Sequence, residues 1–160
     1  MDIRDRTPDA RDTLSWKWSR GDATDWESFG DPISKNGAAL CLYDESFATP
    51  TLAFRAAIPA AGQCGSRACW HPNATGFRYR DRDRTPDGAY TLVLKSGTGS
   101  AAIRFKGAGD LLSDRPGGLP APPLAVPLRV QLQAAGGACW ESAFSNPRTN
   151  ESDRFDARSD

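Results

Sequence analysis

Few side chains in this sequence could carry covalent chemistry. His71 is the only histidine, and four cysteines and four glutamates accompany it in 160 residues. A Ser-His-Asp or Cys-His nucleophile would have to use His71. That residue lies in Cys69-Trp70-His71-Pro72, no Gly-x-Ser-x-Gly elbow is present, and it reads as a polar loop residue. A metal centre of several histidines cannot be built within one chain. Paired carboxylates could hydrolyse glycosides, and Asp44, Glu45 and Glu141 are the candidates, but spacing in sequence does not set their separation in space. The expectation is a protein that is not an enzyme.

The run Asp81-Arg82-Asp83-Arg84-Thr85-Pro86-Asp87-Gly88 offers oxygen ligands at Asp81, Asp83 and Asp87, spaced like half of a calcium loop. Ca2+ is the one cofactor the sequence brings up. No bidentate glutamate closes the loop, Arg82 and Arg84 would repel the cation, and a Pro-Asp-Gly turn accounts for the same residues. The even number of cysteines favours a disulfide framework and an oxidising compartment. Cys64 and Cys69 bracket a Gly-Ser-Arg-Ala loop. Zinc held by this pair and His71 is the rival reading, and it lacks a second paired spacing. Cys41 and Cys139 both fall on the outward side of alternating strands. The expected bridges are therefore Cys41–Cys139 and Cys64–Cys69.

Recognition chemistry is better represented. Trp26 and Trp70 lie in expected loops, where a ring could stack on a sugar. Trp16, Trp18 and Trp140 alternate with polar residues and read as core. Lys17, Arg55, Arg78, Arg80, Lys95, Arg104, Lys106 and Arg129 all fall on outward strand positions, with Glu141 as the main acid among them. The chain has twenty cations, twenty anions and a formal net charge of zero. That balance excludes a globally basic nucleic-acid binder. It still permits cationic strand faces with the carboxylates gathered in loops, a field that draws an anionic partner. The candidate ligand-binding residues are Trp26, Trp70, Arg78, Arg80, Arg104 and Arg129, with a polysaccharide or cell-surface glycan as partner. The plainer account is that long cationic side chains cover strand surfaces and discourage edge pairing.

Period-2 alternation runs through Thr13–Trp18, Ala38–Asp44, Thr51–Ile58, Phe77–Arg80, Tyr90–Lys95, Ile103–Lys106, Leu128–Gln133 and Cys139–Phe144. Phe155 can seed a short last strand. No segment holds helical spacing for three turns. Five prolines in Gly107–Pro127 mark an extended crossover between strands. The expected class is all-β, an antiparallel two-sheet β-sandwich of eight to nine strands. Residues 13–145 form that domain. Residues 1–12 are expected to be a flexible segment and residues 146–160 a loose tail. The apolar runs are too short for a membrane span. Asn73-Ala74-Thr75 and Asn150-Glu151-Ser152 fit the glycosylation pattern and read as chance.

Ala39-Leu40-Cys41-Leu42-Tyr43-Asp44, Cys64-x4-Cys69-Trp70, Phe77-Arg78-Tyr79-Arg80-Asp81, Thr85-Pro86-Asp87-Gly88 and Cys139-Trp140-Glu141 together resemble a disulfide-bonded module of predicted secreted proteins from environmental bacteria. The resemblance spans roughly residues 12–160 and implies secretion or a cell-surface location. It carries no catalytic residue. Met1 is followed by charged residues and no apolar segment, so a secreted reading implies a mature chain or an excised module. The function expected is a monomeric, non-catalytic binding module. The alternative is a structural or adhesion spacer without a ligand of its own.

Overall fold

The computed structural model describes all 160 residues. The strands follow in chain order as β1 (Asp2–Arg4), β2 (Thr13–Ser19), β3 (Ala38–Asp44), β4 (Thr51–Ile58), β5 (Gln63–Cys64), β6 (Arg67–Ala68) and β7 (Trp70–Asn73). They continue as β8 (Gly76–Arg80), β9 (Ala89–Lys95), β10 (Ala102–Ala108), β11 (Leu128–Ala134), β12 (Cys139–Phe144), β13 (Pro147–Glu151) and β14 (Arg154–Ala157). One helical turn, α1 (Asp110–Ser113), sits in the proline-rich crossover. The larger sheet has eight strands in the order β13-β14-β1-β2-β10-β9-β8-β7, and the smaller has four in the order β12-β11-β3-β4. Strands β5 and β6 make a separate hairpin. The sheets enclose one core of 28 buried residues, including Trp16, Tyr79 and Phe105 from the larger sheet and Leu40, Phe54 and Phe144 from the smaller. The result is the expected antiparallel β-sandwich, with more strands than eight or nine because several are too short to show alternation.

Alternation sets most of this architecture. The spans Ala38–Asp44, Thr51–Ile58 and Cys139–Phe144 are strands with the expected ends. It fails at two places, each for the same reason. On β4, Leu42 pairs with Phe54 and Tyr43 with Leu52, so Ala53 is an extra, unpaired residue. On β9, Lys106 pairs with Thr91 and Gly107 with Ala89, so Tyr90 is extra. Such bulges reverse the facing of what precedes them. Leu52, expected inside, is 53% exposed. Tyr90, expected inside, is only half-buried and reaches an arginine on the outer face.

The chain ends correct the expected boundaries. Residues 1–12 and 146–160 are not loose segments, because they supply β1, β13 and β14 to the larger sheet. Ile3 and Phe155 are both 0% exposed and pair with each other. The Met1 ammonium donates to the Ala157 carbonyl at 2.7 Å. Phe155 seeds β14 as expected, whereas β1 and β13 hold too few apolar residues to show a period. The crossover after β10 is the expected connection between strands; it holds the α1 turn and passes to β11 in the other sheet. Asn150 of β13 holds it, exchanging two 2.8 Å amide hydrogen bonds with the Leu124 backbone.

Strand β4 is a free edge of the smaller sheet, and side chains stand in for the missing neighbour. The Ala57 N–H donates to Asp87 Oδ2 at 2.8 Å. Arg115 donates to the Arg55 carbonyl, and Trp70 Nε1 donates to the Pro59 carbonyl at 2.8 Å. Arg115 also lies 3.8 Å from Asp87 and 5.5 Å over the Phe54 ring. These contacts satisfy edge groups that would otherwise template another strand.

The cysteines are half as expected. Cys64 and Cys69 are bridged. Cys41 and Cys139 are free, which corrects the expected second disulfide. Strand β11 lies between their strands, with Gln131 opposite Cys41 and Gln133 opposite Cys139. Two strand spacings of about 4.8 Å hold the backbones too far apart to bridge.

Thiol titration without reductant should find two free thiols after unfolding and, in the native protein, one accessible thiol, Cys139, with Cys41 protected. Arg115→Ala should lower unfolding free energy by about 2 kcal/mol, the scale for losing hydrogen bonds from a charged group. The same variant should self-associate as concentration rises, read by sedimentation. Unchanged stability and mass would show that Arg115 does not guard the edge.

Candidate functional site

The buried side of the larger sheet determines what its other side presents. Trp16, Phe105, Leu92, Leu94, Phe77 and Tyr79 face the core. Their outward neighbours line up across the strands. Arg104 of β10 lies opposite Lys17 of β2 and Val93 of β9. Val93 lies opposite Arg78 of β8, and Arg78 opposite His71 of β7. In the next row Lys106 faces Thr91, which faces Arg80. Lys95 stands at the other end of β9. Lys17, Arg78, Arg80, Lys95, Arg104 and Lys106 are all exposed.

None of these six cations forms an ion pair. The far end of the same sheet differs. There Asp2 pairs with Arg4 and Arg154 at 3.0 Å each, and Asp156 with Arg148 at 3.8 Å. Within the larger sheet the unpaired cations are thus those of β2, β10, β9 and β8.

Tyr90 joins this face through its bulge. Arg80 donates to the Tyr90 hydroxyl at 3.2 Å, and its guanidinium carbon stands 5.8 Å from the ring centre. That hydrogen bond and then the charge of Arg80 pull the Tyr90 phenol below its usual range, with Arg82 and Arg78 adding to the effect. Burial does the opposite to Tyr79, whose phenol is pushed up, with the Asp81 carboxylate adding to the shift. Burial also raises Tyr43. Alternation alone assigns Tyr90 to the core, so the sequence did not mark it as a site residue. The only trace is small Ala89 at the neighbouring position.

Arg78, Arg80 and Arg104 share the basic face, but Arg129 does not. It belongs to β11 of the other sheet and is neutralised there. Its guanidinium holds Glu45 at 2.7 and 3.2 Å and Glu141 at 2.6 Å, while Gln131 holds the second Glu141 oxygen at 2.8 Å. All four oxygens of this carboxylate pair are therefore occupied by donors. Asp44, the third candidate, accepts the Ser46 N–H at 2.8 Å in the turn after β3.

The tryptophans also require correction. Trp70 begins β7 and is only 3% exposed, packed on Tyr79 with its N–H bound to Pro59. It cannot stack on a ligand. Trp26 is half-buried, its ring 4.5 Å from that of Phe77 at the margin of the core. His71 is exposed, but on a strand rather than a loop.

Asp81 is 1% exposed. Its oxygens accept the Asp83 N–H at 2.9 Å, the Thr85 N–H at 2.8 Å and the Thr85 hydroxyl at 3.1 Å. Asp87 is engaged with Ala57 and Arg115. Neither these residues nor Asp83 join a group of three or more acidic, cysteine or histidine side chains able to hold a metal ion. The thiols of Cys41 and Cys139 are both raised by burial, so neither has the character of an activated nucleophile.

Comparison with protein-family models, curated proteins and solved structures finds no match. The face must be read from its own chemistry.

The electrostatics are open to direct measurement. In a spectrophotometric titration, Tyr90 should ionise below the usual tyrosine value of about 10 and the other two tyrosines above it. Arg80→Met should move the first step upward. A first step that ignores this substitution would mean Arg80 does not govern Tyr90.

Proposed function

We propose that this chain is a non-catalytic extracellular module that binds an acidic polysaccharide through the outer face of its larger sheet. One observation carries the reading: six exposed cations without an ion pair occupy one face of a protein with zero net charge. Solubility and edge protection would be served equally well by paired charges, as at the β13-β14-β1 end. Concentrating one sign of charge on an open sheet face raises the local concentration of anions and speeds their capture. Cations spread over four strands suit a polymer, which gains affinity by touching many weak points at once.

The location rests on the Cys64–Cys69 bridge, which forms and persists in oxidising surroundings. No helix is long and apolar enough to cross a membrane.

Retention on an immobilised acidic glycan, at low and at moderate salt, tests the reading. Wild type should bind at low salt and weaken as salt rises. Arg78→Glu with Arg104→Glu should bind at least about tenfold more weakly, a loss of about 1.4 kcal/mol. Both residues are exposed, so melting should stay close to wild type. No retention of wild type at low salt, or equal retention of the variant, would leave a structural spacer as the better description.

A further inference from the structure

We infer that the ligand lies along β9 as an extended acidic glycan whose successive acidic groups reach opposite sides of that strand. This rests on the proposed binding face and specifies how it is used.

The outer face is not a uniform field. Arg78 and Arg80 form a rail on β8, and Arg104 and Lys106 form a second rail on β10. The rails stand in register, because Val93 pairs with both Arg78 and Arg104, and Thr91 with both Arg80 and Lys106. Two strand spacings separate the rails by about 10 Å, and alternate residues within a rail lie about 7 Å apart. Four cations thus mark the corners of a rectangle. Between them runs a lane one strand wide, floored by half-buried Thr91 and Val93. At one end the bulge delivers the Tyr90 ring beside Arg80.

This pattern selects among polyanions. A lane floored by a valine and a threonine, with an aromatic ring at one end, suits the face of a sugar ring. Cations on both flanks suit a ribbon-like chain that points acidic groups to either side. Three of the four corners are arginine, whose planar fork meets a carboxylate with two hydrogen bonds. Single-stranded nucleic acid is held by rows of rings on which successive bases stack. This face offers the Tyr90 ring on β9 and the exposed His71 imidazole on β7, which stand on different strands and do not form a row. The observations therefore favour a polyuronate over a nucleic acid.

Calorimetric binding of a β-1,4-linked mannuronate hexasaccharide tests the inference through two double variants that remove the same charge. Arg78→Gln with Arg104→Gln removes both corners of one row, and Lys35→Gln with Arg55→Gln removes two exposed cations that belong to the smaller sheet and to the loop leading into it. The first pair should weaken binding at least about tenfold and the second less than about twofold, as expected for contact against peripheral charges. Tyr90→Ala should also weaken hexasaccharide binding while retention on dextran sulfate stays unchanged. Equal losses from the two pairs would overturn the inference and leave a diffuse polyanion binder. Tighter binding of oligothymidylate than of the hexasaccharide would overturn the choice of glycan. Failure of wild type to bind any acidic glycan would instead remove the proposed function itself. Thermal melts of each variant separate loss of contact from loss of fold.

Discussion

Burial of one side of each strand against the opposite sheet is the constraint on which the rest of this structure depends. Side chains alternate along a strand, so a position that buries Phe105 must expose Arg104 and Lys106. A slip of one residue would drive those cations into the core, and the register is correspondingly firm. The basic face and the apolar core are therefore two consequences of one register. Cross-strand pairing then arranges the outward residues in rows. The cations become neighbours because their apolar partners do.

A second requirement explains why several residues that look chemical perform structural tasks. Every backbone N–H and C=O removed from water needs a partner. Where the sheets stop, side chains supply one. Asp87 and Arg115 serve the edge of β4, Trp70 the Pro59 carbonyl just past it, and Asn150 the crossover at Leu124. Asp81 closes the turn before Asp87. Asp81, Asp87 and Trp70 were sound candidates for a metal or a sugar by residue type. Their roles follow from loops and edges whose positions the local sequence does not specify. Glu45 and Glu141 follow the same rule, since Arg129 joins them into a bridge across the smaller sheet.

The bulges are the points where local pattern and tertiary structure disagree. Tyr90 and Leu52 are apolar enough to continue the inward series, and a strict period of two places them there. One extra residue in each strand turns them outward instead. At β9 this brings a phenol ring into the midst of cations, threonine and valine, which changes the chemistry that the face can recognise. Arg78, Arg80 and Arg104 were legible as outward cations, whereas Tyr90 was not.

The amino-acid sequence by itself determined the all-β class, the spans of the main strands, the facing of most residues and the Cys64–Cys69 bridge. Each depends on chain-local properties: the period of side chains along an extended backbone, or the closure of a loop of a few residues. Tertiary structure alone decided which strands are neighbours. Strand β11 between β3 and β12 keeps Cys41 from Cys139, and its place in the smaller sheet takes Arg129 away from the other arginines. Strand β1 joins the C-terminal hairpin of β13 and β14 by pairing with β14 across nearly the whole chain. Hydrogen bonds between strands depend on where distant segments pack, and a side-chain period carries no record of that.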